Sequence, residues 1–257
     1  MAIVDLSVPV ETGMPVYPGD PEVSTGPALT VARDGVNVLG LHLGSHSGTH
    51  VDAPRHIDDA LPALDELPLD RFCGPAVVVD ARGLPPRAPI GPEPFQDVEP
   101  GVIVLVATGW SRWWGSARYT EHPYLTEEAA ELLVERGVRT VGIDAFSVDP
   151  TPAADFPAHR ALLGAHAVIA ENLTGLDRLL AEAGPIEVFL LPLRLPGADG
   201  APVRAVAKSR GKSRGKSRAE SRGVSRLAGA PGVRLLAQLE GRRTTRSRGR
   251  RGWPGSC

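Results

Sequence analysis

Apolar residues in this chain come in short blocks, and the spacing between blocks changes along its length. Residues 2–7 form a short apolar block that predicts a strand, followed by a Pro-rich loop around Tyr17 too broken to be regular. Residues 28–33 and 36–43 flank Asp34-Gly35, which predicts a hairpin with Leu39, Leu41 and Leu43 along one face. Continuous apolar runs at 76–80 and 102–107 predict strands buried on both sides, separated by a Pro-rich connection over 83–100. An amphipathic helix is predicted over 126–136, with Thr126 as N-cap, Gly137 as C-cap, and Glu127 and Glu128 in the first turn.

Beyond it, strands and helices alternate. Strands are expected at 138–143, 167–170 and, longest, 186–195; helices are expected at 157–163 and 176–183. Hairpins early and alternation late predict an α/β domain built on a mixed sheet, not a doubly wound dinucleotide fold. No Gly-x-Gly-x-x-Gly or Walker loop argues otherwise.

Composition alters this picture at one end only. The net charge of −2 hides an asymmetry: residues 208–257 hold fifteen of the 28 Lys and Arg but only Glu220 and Glu240 among the 30 acidic residues. From Lys208 five tetrads share Ser-Arg, a composition that cannot bury a core and predicts disorder. The domain is therefore expected over 1–207, with a basic low-complexity tail over 208–257. Phosphate contacts with nucleic acid, attraction to the acidic body, or an unselected C-terminus such as a shifted reading frame would each explain the tail, and the last is preferred. Residues 227–239 could add a short helix. No apolar run is long enough to span a bilayer, and the N-terminus lacks a signal pattern. Cys73 and Cys257 are the only cysteines, which excludes a disulfide framework and a Cys-rich zinc knuckle and fits a reducing cytoplasm.

The chemistry concentrates between His46 and His56. His46, His50, Asp52 and His56 fall within eleven positions, and His42 lies just upstream, although the chain has seven histidines in all. Imidazoles and carboxylates bind first-row divalent metals, whereas packing gives no reason to cluster imidazoles. Gly48 offers the backbone freedom for a tight turn, so these residues read as a metal site in a loop beginning where the second hairpin strand ends. His42 alone reads as an ordinary surface or core histidine. Ser47 and Ser147 lack a Gly-x-Ser-x-Gly elbow and read as turn or supporting residues.

The run His46-Ser47-Gly48-Thr49-His50-Val51-Asp52-Ala53-Pro54-Arg55-His56 is similar to the signature of the cyclase family of metal-dependent hydrolases. Pro15-Val16-Tyr17-Pro18-Gly19-Asp20-Pro21, Thr108-Gly109-Trp110, Gly142-Ile143-Asp144, Ser147-Val148-Asp149-Pro150, Pro157-Ala158-His159, Glu171-Asn172-Leu173 and Asp199-Gly200-Ala201-Pro202-Val203-Arg204 agree in order. The resemblance runs from about residue 3 to about 207. It implies a single-domain β/β/α fold, swivelling-domain-like, round a mixed sheet or flattened barrel. It also implies that His46, His50 and Asp52 hold one metal and that His159 and Glu171, twelve residues apart, hold a second bridged by Asp52. On residue type alone, His159 and Glu171 read as a structural histidine and a solvated charge.

By the same resemblance His56 is the proton donor and acceptor. Zn or Mn is the expected cofactor, one or two per subunit, and a homodimer or higher oligomer is expected. The implied reaction is hydrolysis of a small aryl-formamide, lactam or cyclic amide by metal-activated water. Formamidases of the family carry a substrate-stacking tryptophan where this chain has Tyr17, whose ring can stack on a substrate or simply pack the loop. Trp110, Trp113 and Trp114 read as core or subunit contact, and Asp144 and Asp149 as residues that orient ligands or cap turns. The alternative function is a non-enzymatic nucleic-acid-binding protein, using the basic tail and a structural metal.

Overall fold

The run Ile103–Ala107 is a strand with all five residues buried, and it sits near the centre of the main sheet. The computed structural model describes residues 2–182 and 184–209. In chain order its strands are β1 (Ala2–Asp5), β2 (Ser24–Leu29), β3 (Val38–His42), β4 (His50–Asp52), β5 (Cys73–Asp80), β6 (Pro89–Ile90), β7 (Ile103–Ala107), β8 (Tyr124–Leu125), β9 (Thr140–Ile143), β10 (Val168–Glu171), β11 (Ile186–Phe189), β12 (Gly200–Pro202) and β13 (Val206–Ser209). The helices are α1 (Val31–Asp34), α2 (Glu127–Glu135), α3 (Pro157–Gly164) and α4 (Leu176–Leu180), with several short 3-10 turns between.

Among the described residues the main sheet has nine strands in the order β1-β13-β11-β5-β7-β9-β10-β4-β12. Its middle, β5-β7-β9-β10, is parallel, and antiparallel strands extend it on both sides. This is the expected α/β domain on a mixed sheet. Period two sends alternate residues of β7 into two cores. Val104 and Val106 pack with Ala129, Leu133 and Leu162 from α2 and α3, while Ile103, Leu105 and Ala107 pack with Leu176 and Leu179 of α4. Layers on both faces explain why the strand reads as unbroken apolar sequence.

Thr126 caps α2 by accepting from the Ala129 amide at 3.2 Å. Arg136 takes the C-cap position and Gly137, at φ 76°, follows it. Trp110 is buried, its indole N–H donating to the Arg118 carbonyl at 3.2 Å, and Trp113 and Trp114 pack against the same core.

Four expectations change. The first hairpin strand lies earlier, at Ser24–Leu29, and Asp34-Gly35 closes the one-turn helix α1 instead of a two-residue turn. Side chains decide this: Asp34 Oδ2 accepts from the Thr30 amide at 2.8 Å and Asn37 Oδ1 from the Val31 amide at 2.9 Å. Leu39 and Leu41 lie exposed on the resulting two-stranded ribbon. The strand expected over 186–195 stops at Phe189; the Leu190 amide donates to the Phe72 carbonyl at 2.7 Å, Pro192 makes only an isolated bridge to Val203, and Leu191, Leu193 and Leu195 are exposed. Lys208 and Ser209, read as the start of the tail, pair with Ile3 and Ala2 at the sheet edge. Helix α4 ends at Leu180, and Ala183 together with the expectations for residues 210–257 lies outside the described residues.

Two buried positions test this packing. A Cβ on Gly142 of β9 would meet Leu173 Cδ1 at 2.7 Å and Leu105 Cδ2 at 2.8 Å. Gly142→Ala should therefore lower unfolding free energy by ~1–3 kcal/mol in a urea titration. His122 is 1 % exposed and neutral: its Nδ1–H donates to the Pro123 carbonyl at 2.9 Å and Nε2 accepts from the Thr151 hydroxyl at 2.8 Å. Burial holds its pKa down to about 4, although the carbonyl bond favours the cation. An unfolded histidine titrates near ~6.5, so this stability is complete above that pH and is lost as pH falls towards 4. Urea midpoints stepped from pH 7 to 4 should fall more steeply for the wild type than for His122→Asn.

Candidate metal centre and active site

β4 lies between β10 and β12, so the stretch expected to be a loop is partly an interior strand. Its three residues are too few, and too polar at positions 50 and 52, to read as a strand. Strand period places His50 and Asp52 on one face. The register with β10 sets Glu171 directly opposite His50. His46 returns to the same point through a turn in which the Gly44 amide donates to Ser47 Oγ at 3.0 Å and Gly48 adopts φ 67°. α3 supplies His159 from beside β10.

These side chains converge. His46 Nδ1 is 2.7 Å and His50 Nε2 3.2 Å from Asp52 Oδ1. His159 Nε2 is 3.8 Å from Asp52 Oδ2 and 3.5 Å from Glu171 Oε1, while Glu171 Oε2 is 3.6 Å from His50 Nε2. Donor atoms of His46, His50 and Asp52 all lie within 4.8 Å of one another, and so do those of Asp52, His159 and Glu171. Asp52 belongs to both groups. The exposed His42 joins neither.

The second nitrogen of each imidazole is already committed. His50 Nδ1 donates to the Gly48 carbonyl at 2.8 Å, which leaves Nε2 with a free lone pair. His159 Nδ1 lies 2.6 Å from Asp149 Oδ2. Asp149 also accepts from the Ala158 and His159 amides at 3.0 and 2.9 Å, so one buried carboxylate caps α3 and orients its histidine. That joins the two roles expected of Asp149. Asp144 is different: it accepts from the Thr108 and Gly109 amides, and burial raises its carboxyl to about 6.

The electrostatics follow from burial. Asp52 is 1 % exposed, and although burial opposes its charge, His50 and His46 hold its carboxyl well below the usual range. Burial and the Asp52 charge push Glu171 up to about 7. Burial disfavours the His46 cation, but Asp52 and Asp199 outweigh it and raise the ring to about 10. His159 is raised against burial by Asp149, Glu171 and Asp52, whereas burial lowers His56. Among the described residues Asp52 and Glu171 have imidazoles and no Lys or Arg as ionic partners, and Asp52 Oδ2 has no hydrogen-bond partner. Nitrogen and carboxylate donors facing an orphaned oxygen fit a divalent cation.

The cluster forms one side of a cavity of about 600 Å³, lined further by Tyr17, Ile57, Phe146, Phe156 and Arg160. His56 is at its rim, with its ring centroid 4.0 Å from that of His46. Tyr17 packs edge-on to Phe146 at 6.1 Å, and its hydroxyl oxygen accepts from the Ala153 amide at 3.1 Å. The ring therefore both packs the loop and walls the cavity. Ser47 and Ser147 are turn residues, Ser147 Oγ accepting from the Asp149 amide at 3.1 Å.

Two features escaped the sequence reading. Asp199 lies within a stretch that matches the family but has no role in that reading; it meets His46 and His56, and stands 153 residues from the first. Thr49, Asn172 and Tyr119 form a buried lock: Thr49 Oγ1 donates to the Asn172 carbonyl at 2.6 Å, Asn172 Nδ2 to the Gly48 carbonyl at 3.0 Å, and the Tyr119 hydroxyl to Asn172 Oδ1 at 3.0 Å. The motifs Gly48-Thr49 and Glu171-Asn172 contain two of these residues, but only the sheet joins them.

A mixed sheet with a buried histidine–carboxylate centre beside an aromatic cavity defines the class, and comparison with known proteins gives the family. The Cyclase family profile matches residues 4–150. The kynurenine formamidase of Salinibacter ruber is 38% identical over 218 residues, covering 81% of this chain and 98% of that protein. Isatin hydrolase A from Labrenzia aggregata, bound to benzyl benzoate, superposes with a TM-score of 0.71 at 25% identity, over 80% of this chain and 93% of that one. A structure described as a potential metal-dependent hydrolase with cyclase activity superposes at 0.68 with 27% identity, over 81% of this chain and 98% of that one. The chain belongs to the Cyclase family.

Asp149 offers a direct test of how the centre is held. Asp149→Ala leaves the Ala158 and His159 amides and His159 Nδ1 without their acceptor, so it should cost at least ~2 kcal/mol of unfolding free energy. Asp149→Asn, which keeps an acceptor, should recover part of this in the same denaturation experiment.

Proposed function

We propose that this protein is a metal-dependent amidohydrolase that cleaves the C–N bond of a small aryl-formamide, lactam or related cyclic amide. The observation that carries the reading is the pair of donor groups sharing Asp52 beside an aromatic-walled cavity. Kynurenine formamidase and isatin hydrolase, the relatives named above, are hydrolases of this kind. They do not support the nucleic-acid reading of residues 208–257.

His46, His50 and Asp52 would hold one divalent ion, and Asp52, His159 and Glu171 a second. Zn or Mn suits donors that are all imidazole or carboxylate. Bound there, the metal supplies Lewis acidity, which polarises a carbonyl and makes water nucleophilic near neutral pH. The chain's own residues do the rest. Tyr17, Ile57, Phe146 and Phe156 offer a flat apolar recess for an aryl ring, and Tyr17 takes the stacking role in place of tryptophan. His56 receives the proton as water attacks the carbonyl carbon and returns it to the nitrogen as the C–N bond breaks. Its burial-lowered pKa keeps the imidazole neutral, and so able to act first as base.

Assembly as a homodimer or larger oligomer belongs to the same reading. Val31, Val36, Leu39 and Leu41 expose apolar side chains on the ribbon of β2 and β3 or its connecting turn, which supports association. No helix among the described residues is long and apolar enough to cross a membrane. A cytoplasmic setting is proposed on the two cysteines, Cys73 and Cys257. Residues 210–257, beyond the last strand, are proposed to be a tail dispensable for hydrolysis.

Metal analysis of the purified chain, alongside hydrolysis of N-formylkynurenine and isatin, tests the assignment. Near two metals are expected in the wild type and about one in Glu171→Ala. His56→Ala should keep its metal yet lose roughly 10²–10⁴-fold in kcat. A wild type that takes up neither Zn nor Mn would refute the mechanism.

A further inference from the structure

Asp199 stands outside both donor groups of the centre proposed above, yet one of its oxygens serves two of the site's histidines. Oδ2 lies 2.9 Å from His46 Nε2 and 3.4 Å from His56 Nδ1. The placement is built into the sheet. The Asp199 carbonyl accepts from the Ala53 amide at 2.8 Å, extending the ladder in which Gly200 pairs with Asp52. The next residue makes room for the same imidazole: a Cβ on Gly200 would lie 2.8 Å from His46 Cε1 and 2.7 Å from the Val51 carbonyl. Only glycine lets the His46 ring lie this close to β12. Asp199 and Gly200 thus hold one ring by its edge and by its face.

We infer that Asp199 is a positioning residue that ties the metal-holding His46 to the proton-carrying His56 through a single carboxylate oxygen. The inference rests on the proposed metal-dependent function and extends it to a residue with no role there. Nδ1 faces Asp52 and the donor group that would hold the ion; with Nδ1 given to a metal, His46 would keep its proton on Nε2, and Asp199 would accept that Nε2–H. Such a carboxylate fixes the tautomer and the ring plane and makes the ligating nitrogen more basic. His50 and His159 have the same support from Gly48 and Asp149, so Asp199 completes the set. The second contact is particular to it. By accepting from His56 Nδ1–H it leaves Nε2 as the nitrogen that exchanges the substrate's proton. A displaced Asp199 should therefore harm metal retention and proton transfer together.

The test compares wild type, Asp199→Ala and Asp199→Asn as full chains, after a thermal melt confirms folding. Zn retained against a graded chelator series is read first, without any substrate. Asp199→Ala should need about 10–100-fold less chelator to lose the ion held by His46, while the ion held by His159 and Glu171 stays as in the wild type. Asp199→Asn, which still accepts a hydrogen bond but carries no charge, should fall between the two. With saturating Zn, Asp199→Ala should remain low in kcat with KM little changed, because His56 is still unpositioned. Wild-type Zn retention and wild-type kcat in Asp199→Ala would overturn the inference while leaving the metal-dependent function intact. A wild type that holds no Zn at any chelator level would sink both, so the two failures are distinct.

Discussion

A carboxylate in the interior of a sheet loses nearly all its hydration, and its charge persists only if other groups replace the lost water. Asp52, on a strand flanked on both sides, is in that position. Its two oxygens face two sets of partners: Oδ1 meets His46 and His50, and Oδ2 points towards His159 without a hydrogen bond. Glu171 adds a second buried carboxylate across the ladder. Without a cation, protons carry the compensation, which is why His46 rises to about 10 and Glu171 to about 7. A divalent ion offers the same compensation with more charge in less volume, so the arrangement favours metal over protons.

Everything around Asp52 limits how its partners can move. The supports come from three kinds of structure: a turn carbonyl for His50, a helix-capping carboxylate for His159, and a strand-end carboxylate for His46. Imidazoles fixed at one nitrogen lose little further freedom on binding an ion with the other. The Thr49–Asn172–Tyr119 lock ties the turn carrying His50 to the end of β10, which carries Glu171. The two donor groups therefore hold their spacing because the sheet does. The aromatic side of the cavity is built from Tyr17, Phe146 and Phe156, and Phe156 also packs edge-on against His159 at 5.8 Å, so it adjoins the centre directly.

Much of this was legible beforehand, for identifiable reasons. β7 announced itself because both its faces are buried, and α2 because Thr126, the acidic first turn and Gly137 are local signals. The density of donors from His46 to His56 marked the site because nothing else concentrates imidazoles. The hairpin turn was misplaced since Asp34-Gly35 suits a tight turn and a helix end equally, and the bonds from Asp34 and Asn37 chose the helix. β4 and β13 were missed because strands of three or four residues with polar members carry no usable period, and β12 because Gly-Ala-Pro reads as a turn.

What the sequence determined by itself was the chemistry: which side chains can bind a cation, and that His50 and Asp52, two apart, would share a face of any extended segment. It also determined the layered α/β class, since hydrophobic period is a property of neighbours along the chain. Tertiary structure alone decided that β4 runs beside β10 and β12, bringing Glu171 opposite His50 and Asp199 against His46 and His56. The reason is physical. Strand pairing is set by backbone hydrogen bonds and by burial summed over the whole sheet, and neither quantity is visible to residues more than a hundred positions apart until the sheet has formed.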